Sequence, residues 1–378
     1  MIRTNGFSPY TVFRSSRNSR ISSEAIPMMH SRTRSIRKPF IACAAAVSLF
    51  MPVLFNSAQA ADNPYQVIYH WGELPGGRTM GVVTGVHPDP DGEHIWILER
   101  CGANQCAGSD LHPIHKLDME GNTVHSIGAG VFAWPHGFDM DAEGNFWVTE
   151  GAPDGDARGA PGMERGMGHQ VIKISQDGEV LMRMGEAGTP GEDAARFNGP
   201  AAVLVAPNGD LWIADGHRGG NNRVMKFSAD GELMLQLGGG VEDTSRETGG
   251  FNDPHDLKMD SQGRIFVADR GNNRIQILSP EGEVLDIWTQ FGRPSGIWID
   301  ENDRIFVADG MSGEQWNRGW ERGIRIGDAR TGYVTEFIPD YEIPTGSGIE
   351  FLASDAEGNI YAGQVGRQRF EKYVRVRP

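Results

Sequence analysis

Two histidines, each directly behind a proline, stand at the same distance from a turn: His136 in WPHGF and His255 in DPHDL lie eight residues before Gly144 and Gly263. Glu350 holds the same place before Gly358. Two imidazoles and a carboxylate are ligand types that together suit a divalent transition ion such as zinc, iron or manganese, with positions left open for substrate or water. Zinc or another divalent transition metal on His136, His255 and Glu350 is therefore the expected centre. The competing reading is that the histidines bond the backbone or fill a tunnel.

The shared spacing follows from an internal repeat. DGEHIWILER, EGNFWVTEG, NGDLWIADG, QGRIFVADR, NDRIFVADG and EGNIYAGQV align on turn positions Gly92, Gly144, Gly209, Gly263, Asp303 and Gly358, which are 52, 65, 54, 40 and 55 residues apart. An apolar stretch precedes each turn and a β-branched and aromatic one follows, the pattern of a hairpin. QVIKISQDGEVLMRMG, RVMKFSADGELMLQLG and RIQILSPEGEVLDIW each supply a second hairpin, so four strands form a repeat. Sheets of this size bury both faces only by stacking on one another, and six in a ring predict an all-β, six-bladed β-propeller over residues 61–378. A seven-bladed ring lacks a seventh copy. Tyr65 to Trp71 is the expected outer strand of the blade that ends the chain.

In such a ring the innermost strands face a central channel. The positions eight before each turn are Thr84, His136, Ala201, His255, Ser295 and Glu350, so candidate ligands alternate with smaller residues and converge from three sides.

Residues 1–60 form a separate unit, with a basic cluster Arg32 to Lys38, an apolar run Phe40 to Phe55 and the small-residue site Ala58-Gln59-Ala60. This is the tripartite pattern of a secretory signal, and the run is short for a spanning helix. Cleavage after Ala60 would release a periplasmic or secreted protein. The whole chain carries net charge −15, and loss of this segment leaves 27 basic and 49 acidic residues, net −22. A surface of that sign repels nucleic acid and anionic lipid. Cys101 and Cys106 are the cysteines that remain, and an oxidising compartment predicts a local disulfide between them.

FNGPAAVLVAPNGDLWIADGHRGGNNRVMKFSADGELMLQLG and FNDPHDLKMDSQGRIFVADRGNNRIQILSPEGEVLDIW resemble the NHL-type repeats of the peptidyl-α-hydroxyglycine α-amidating lyases, over nearly all of residues 61–378. Those enzymes cleave an α-hydroxyglycine to an amide and glyoxylate. The resemblance implies a divergent, bacterial-type member with a channel zinc held at Pro-His motifs that match His136 and His255. The family's third histidine falls on Glu350, its two active-site arginines on Arg100 and Arg270, and its catalytic tyrosine on His217 in ADGHRGGNNR. An imidazole at that place titrates near neutrality, where a phenol does not. His217 as general base, with Arg100 and Arg270 gripping a carboxylate, completes the expected centre. The resemblance also leaves room for calcium elsewhere in the channel.

The expected function is an exported, metal-dependent lyase acting as a monomer on a small-molecule or peptide substrate of carbinolamide or α-hydroxy type. A gluconolactonase-like hydrolase is the second reading. The third is a non-catalytic NHL-repeat scaffold that binds a partner through SGEQWNRGWERG, with Trp316 and Trp320.

Overall fold

The computed structural model describes residues 63–151, 166–239, 246–341 and 346–376; the segment read as a secretory signal lies outside them. The described chain forms six four-stranded antiparallel sheets. Blade one contains β2–β5 (Val83–Pro88, His94–Glu99, Ile114–Asp118, Thr123–Ile127) and blade two β6–β9 (Pro135–Met140, Phe146–Glu150, Gln170–Ile174, Val180–Met184). Blade three holds β10–β13 (Pro200–Val205, Leu211–Asp215, Arg223–Phe227, Leu233–Gly238) and blade four β14–β17 (Pro254–Met259, Ile265–Asp269, Arg274–Leu278, Val284–Trp288). Blade five is β18–β21 (Gly296–Ile299, Arg304–Asp309, Gly323–Asp328, Val334–Pro339), and blade six pairs β22–β24 (Ile349–Ser354, Ile360–Gln364, Arg369–Arg375) with β1 (Tyr65–Tyr69).

That last pairing latches the ring. β1 lies antiparallel to β24, with Tyr65 opposite Arg375 and Tyr69 opposite Glu371, and the Trp71 N–H continues the ladder to the Phe370 carbonyl. The inner strands β2, β6, β10, β14, β18 and β22 abut in that order, and β22 meets β2. Closure leaves no inner edge exposed.

The repeated turns form for a local reason. Asp141 accepts the backbone N–H groups of Glu143 and Asn145 on Oδ1, while Gly144 takes a φ of +83° that glycine adopts without a Cβ penalty. The aspartate that replaces glycine in blade five, Asp303, holds φ +59° and spends its carboxylate on the N–H and hydroxyl of Ser261, which ties blade five to blade four.

Packing lies between blades. Six apolar clusters each join two neighbours, as where Trp96, Leu98 and Ile114 of blade one meet Phe138, Phe146 and Ile172 of blade two. Full burial of each such side chain contributes about 1.5–3 kcal/mol. Antiparallel pairing places the start of every inner strand at the same ring face as the end of the second strand, so both kinds of strand end feed one site.

Candidate functional site

His136 and His255 begin β6 and β14 and are fully buried. The Nδ1–H of His136 donates to the carbonyl of Ala201 and that of His255 to the carbonyl of Ser295, each at 2.8 Å. The acceptors are the small residues at the equivalent place in the next blade. Blades two and three approach so closely that a Cβ on Gly137 would sit 2.5 Å from the Ala201 oxygen. With hydrogen held on Nδ1, both Nε2 atoms carry a lone pair, and neither finds a hydrogen-bond partner among the described residues. Burial, reinforced by the neighbouring imidazoles and by Arg100 or Arg270, pushes both histidines well below the usual imidazole range, so they are neutral donors.

His217 joins them from the loop after β11. The N–H groups of Gly216 and His217 both donate to the Gly199 carbonyl, and a Cβ on Gly220 would meet the Asn198 oxygen at 1.8 Å. The loop is therefore packed, and His217 is only 7% exposed. Its ring centroid lies 4.4 Å from that of His136 and 5.0 Å from that of His255. One nitrogen from each of the three rings falls within 4.8 Å of the others, a group that could hold a metal ion. Trp134 stacks on His217 at 5.4 Å, and Phe351 packs at 5.2 and 5.4 Å from His136 and His255. Aromatic surfaces thus flank the cluster on two sides.

The Nδ1 of His217 is 3.4 Å from Asp253 Oδ1 and 3.2 Å from Arg270 Nη2. The tautomer with hydrogen on Nδ1 directs it to Asp253 and frees Nε2; the other accepts from Arg270. Arg270 follows β15 directly and places Nε and Nη2 2.8 Å from Asp253 Oδ2, with Nη1 3.6 Å from Glu350 Oε1. Burial alone would raise Asp253, yet the charge of Arg270 and the His217 hydrogen bond hold it well below the carboxylate range. Arg293 donates from Nη1 to the Arg270 carbonyl and comes within 4.0 Å of Asp253. Arg100 donates from Nε to the Pro135 carbonyl and lies 3.5 Å over the Trp134 ring. Cys101 and Cys106 are joined as a disulfide immediately after it.

The structure thus brings together all six expected residues in a different grouping. His136 and His255 share their nitrogen cluster with His217, expected as the base, while Glu350, expected as a ligand, faces Arg270. Asp253, Arg293, Trp134 and Phe351 were not singled out from sequence. Three of them had a signal: Trp134, Asp253 and Arg293 each precede a ring position, His136, His255 or Ser295, by two residues.

Other carboxylates and histidines near the ring have structural partners. Glu99, Glu150, Asp215, Asp269 and Asp309, at the ends of second strands, accept N–H groups from the loops entering their own blades. His115 lies in a buried network with Ser126, Arg78 and Glu99, and His112 accepts the Ala129 N–H. Among the described residues, no helix is long and apolar enough to cross a membrane.

Comparison with known proteins agrees with this frame. The NHL repeat family model matches residues 251–278, from β14 through β16. The chain is 32% identical to the probable peptidyl-alpha-hydroxyglycine alpha-amidating lyase pgal-1 of Caenorhabditis elegans over 53% of this chain and 57% of that protein. It is 31% identical to NHL repeat-containing protein 3 of Mus musculus, over 72% of this chain and 80% of that protein. A gluconolactonase of Xanthomonas campestris shares the fold with TM-score 0.53 and 13% identity, covering 82% of this chain and 89% of that one. The chain spans between 22% and 57% of the length of the frog and nematode amidating proteins it matches. A six-bladed ring, an NHL match within it and these identities place the chain, as a divergent member, in the NHL-repeat propeller family that includes the peptidyl-α-hydroxyglycine α-amidating lyases.

Proposed function

We propose that this protein is an exported, metal-dependent lyase that cleaves a carbinolamide-like or α-hydroxy substrate, as the amidating lyases cleave peptidyl-α-hydroxyglycine. The observation that carries the reading is the buried cluster of His136, His217 and His255 beside Arg270: two buried Nε2 lone pairs lack any partner among the described residues. Such orphaned nitrogens, with a third imidazole within reach, fit a divalent transition ion, zinc above all. That ion would supply Lewis-acid polarisation of a hydroxyl or carbonyl oxygen.

The chain's own residues account for the rest. Arg100, Arg270 and Arg293 converge on the site and offer an anion its partners, although the protein as a whole is acidic. Arg270, oriented by Asp253, grips the substrate carboxylate with the edge it turns toward Glu350. His217 would complete the group that holds the ion, and Glu350, beside Arg270, takes the hydroxyl proton. The reaction is balanced without a co-reactant: the O–H bond breaks, the carbon–oxygen bond becomes a carbonyl, and the carbon–nitrogen bond breaks with its electron pair leaving on nitrogen. A proton returned to that nitrogen yields amide and glyoxylate.

The test is glyoxylate release from a model α-hydroxyglycine peptide, with metal-stripped protein and Arg270→Ala alongside. Release that needs both supports the lyase. Lactone hydrolysis in its place favours the gluconolactonase-like hydrolase, and neither activity in metal-loaded protein favours the scaffold. Export rests on the tripartite segment of residues 1–60 together with the disulfide.

A further inference from the structure

The loop joining β19 to β20, residues 310–322, leaves the ring at the same face as His217 and Arg270, because all three follow the second strand of a blade. It is longer than its counterparts in blades three and four and carries Trp316 and Trp320, which are 43% and 37% exposed. The loop is built rather than loose. The Ser312 N–H donates to Asp309, the Gly313 N–H to the Trp316 carbonyl and the Asn317 amide to the Ser312 hydroxyl. Both indoles stack on buried arginines, Trp316 with Arg293 and Trp320 with Arg325, each 5.0 Å from guanidinium carbon to ring centroid.

Between these rings, Pro339, Tyr341 and Ser347 lies a pocket of about 730 Å³. That is the size of a pocket for a drug-sized ligand. Arg293 touches both this loop and the histidine site, since it lies beneath Trp316 and donates to the carbonyl of Arg270. Glu314, Glu321, Arg322 and Asp340 also line the pocket, so charged groups border its aromatic walls.

We infer that this pocket holds the apolar side chain of the residue preceding the α-hydroxyglycine, so that the protein prefers peptides with a large aromatic residue at that position. The inference rests on the lyase reading for the order of groups: carboxylate on Arg270, hydroxyl at the histidines, and the preceding residue directed past Arg293 toward Trp316. Rigid aromatic walls recognise such a side chain at low entropic cost.

Calorimetric titration of the zinc-loaded protein with N-acetyl-Phe-Gly and N-acetyl-Ala-Gly tests it. Neither compound carries the carbinol hydroxyl, so neither is cleaved. The phenylalanyl compound is expected to bind at least about tenfold more tightly. In the double variant Trp316→Ala/Trp320→Ala the two affinities should converge within about twofold, with the alanyl compound unchanged, while Trp316→Phe retains most of the discrimination. Equal wild-type affinities overturn the inference, as does an equal loss for both ligands in the double variant or failure of both to bind. Discrimination in binding without glyoxylate release from the matching α-hydroxyglycine peptides removes the lyase reading and leaves the aromatic pocket standing.

Discussion

The Nδ1–H of His136 donates to the carbonyl of Ala201 across the seam between blades two and three, and His255 repeats the contact with Ser295 across the seam between blades four and five. One repeat position thus supplies both the imidazole and, a blade later, the group that fixes its tautomer. Second-sphere hydrogen bonds of this kind orient metal-ligating histidines.

His136→Ala, His217→Ala and His255→Ala should each lose nearly all bound metal, measured by elemental analysis after dialysis, while Glu350→Gln keeps it and loses turnover. The reverse result for His217→Ala and Glu350→Gln would make the carboxylate the third ligand, as the repeat register alone suggests.

Asp253→Asn removes the nearer of the two carboxylates on the Arg270 guanidinium and leaves Glu350, 3.6 Å away. Loss of one member of a buried pair costs about 3–5 kcal/mol, so a clear drop in Tm is expected. Arg270→Ala should lower kcat/KM by about 10²–10³ through loss of carboxylate binding. Unchanged kcat/KM with normal metal content would remove Arg270 from the substrate site.

Glu150 is fully buried, and burial pushes its carboxyl up to about 7 although the N–H groups of Trp134 and Ala133 favour the charged form. A folded-state value above the unfolded one means that this group contributes stability below about pH 4.5, lost as pH rises to about 7. Glu150→Gln, neutral throughout, should flatten the change in Tm between pH 5 and pH 7. An identical pH profile in both proteins would show that Glu150 does not titrate in that window.

The Cys101–Cys106 disulfide closes a loop of five positions next to Arg100. Closure of so short a loop contributes about 2 kcal/mol by chain entropy. Reduction, a two-electron step, should add two hydrogen atoms to the intact mass, lower Tm modestly and raise KM more than it lowers kcat, because Arg100 loses its brace.

Export makes a simple forecast. Protein recovered from the exported fraction should begin at Ala61 by N-terminal sequencing; an intact segment 30–60 would mean a retained anchor.

The ring was readable from sequence because it is the sum of local rules applied six times. A turn residue able to hold positive φ, with alternating apolar strands on either side, sets strand direction and register, and register alone carries His136 and His255 to the channel. The β1 latch and the disulfide were readable for the same reason: a strand pattern with one vacant edge, and two cysteines five positions apart. The placement of His217 beside His136 and His255 was not, because a loop has no period. Its direction comes from the Gly199 carbonyl that holds its backbone and from the contacts its ring makes with Trp134, His136 and His255, far from it in sequence. Glu350 met the opposite fate, correctly registered on β22 but drawn to Arg270 by charge. Sequence determined which residues reach the channel; only the tertiary structure decided which nitrogens meet there, since that choice is made by hydrogen bonds and ring contacts between blades.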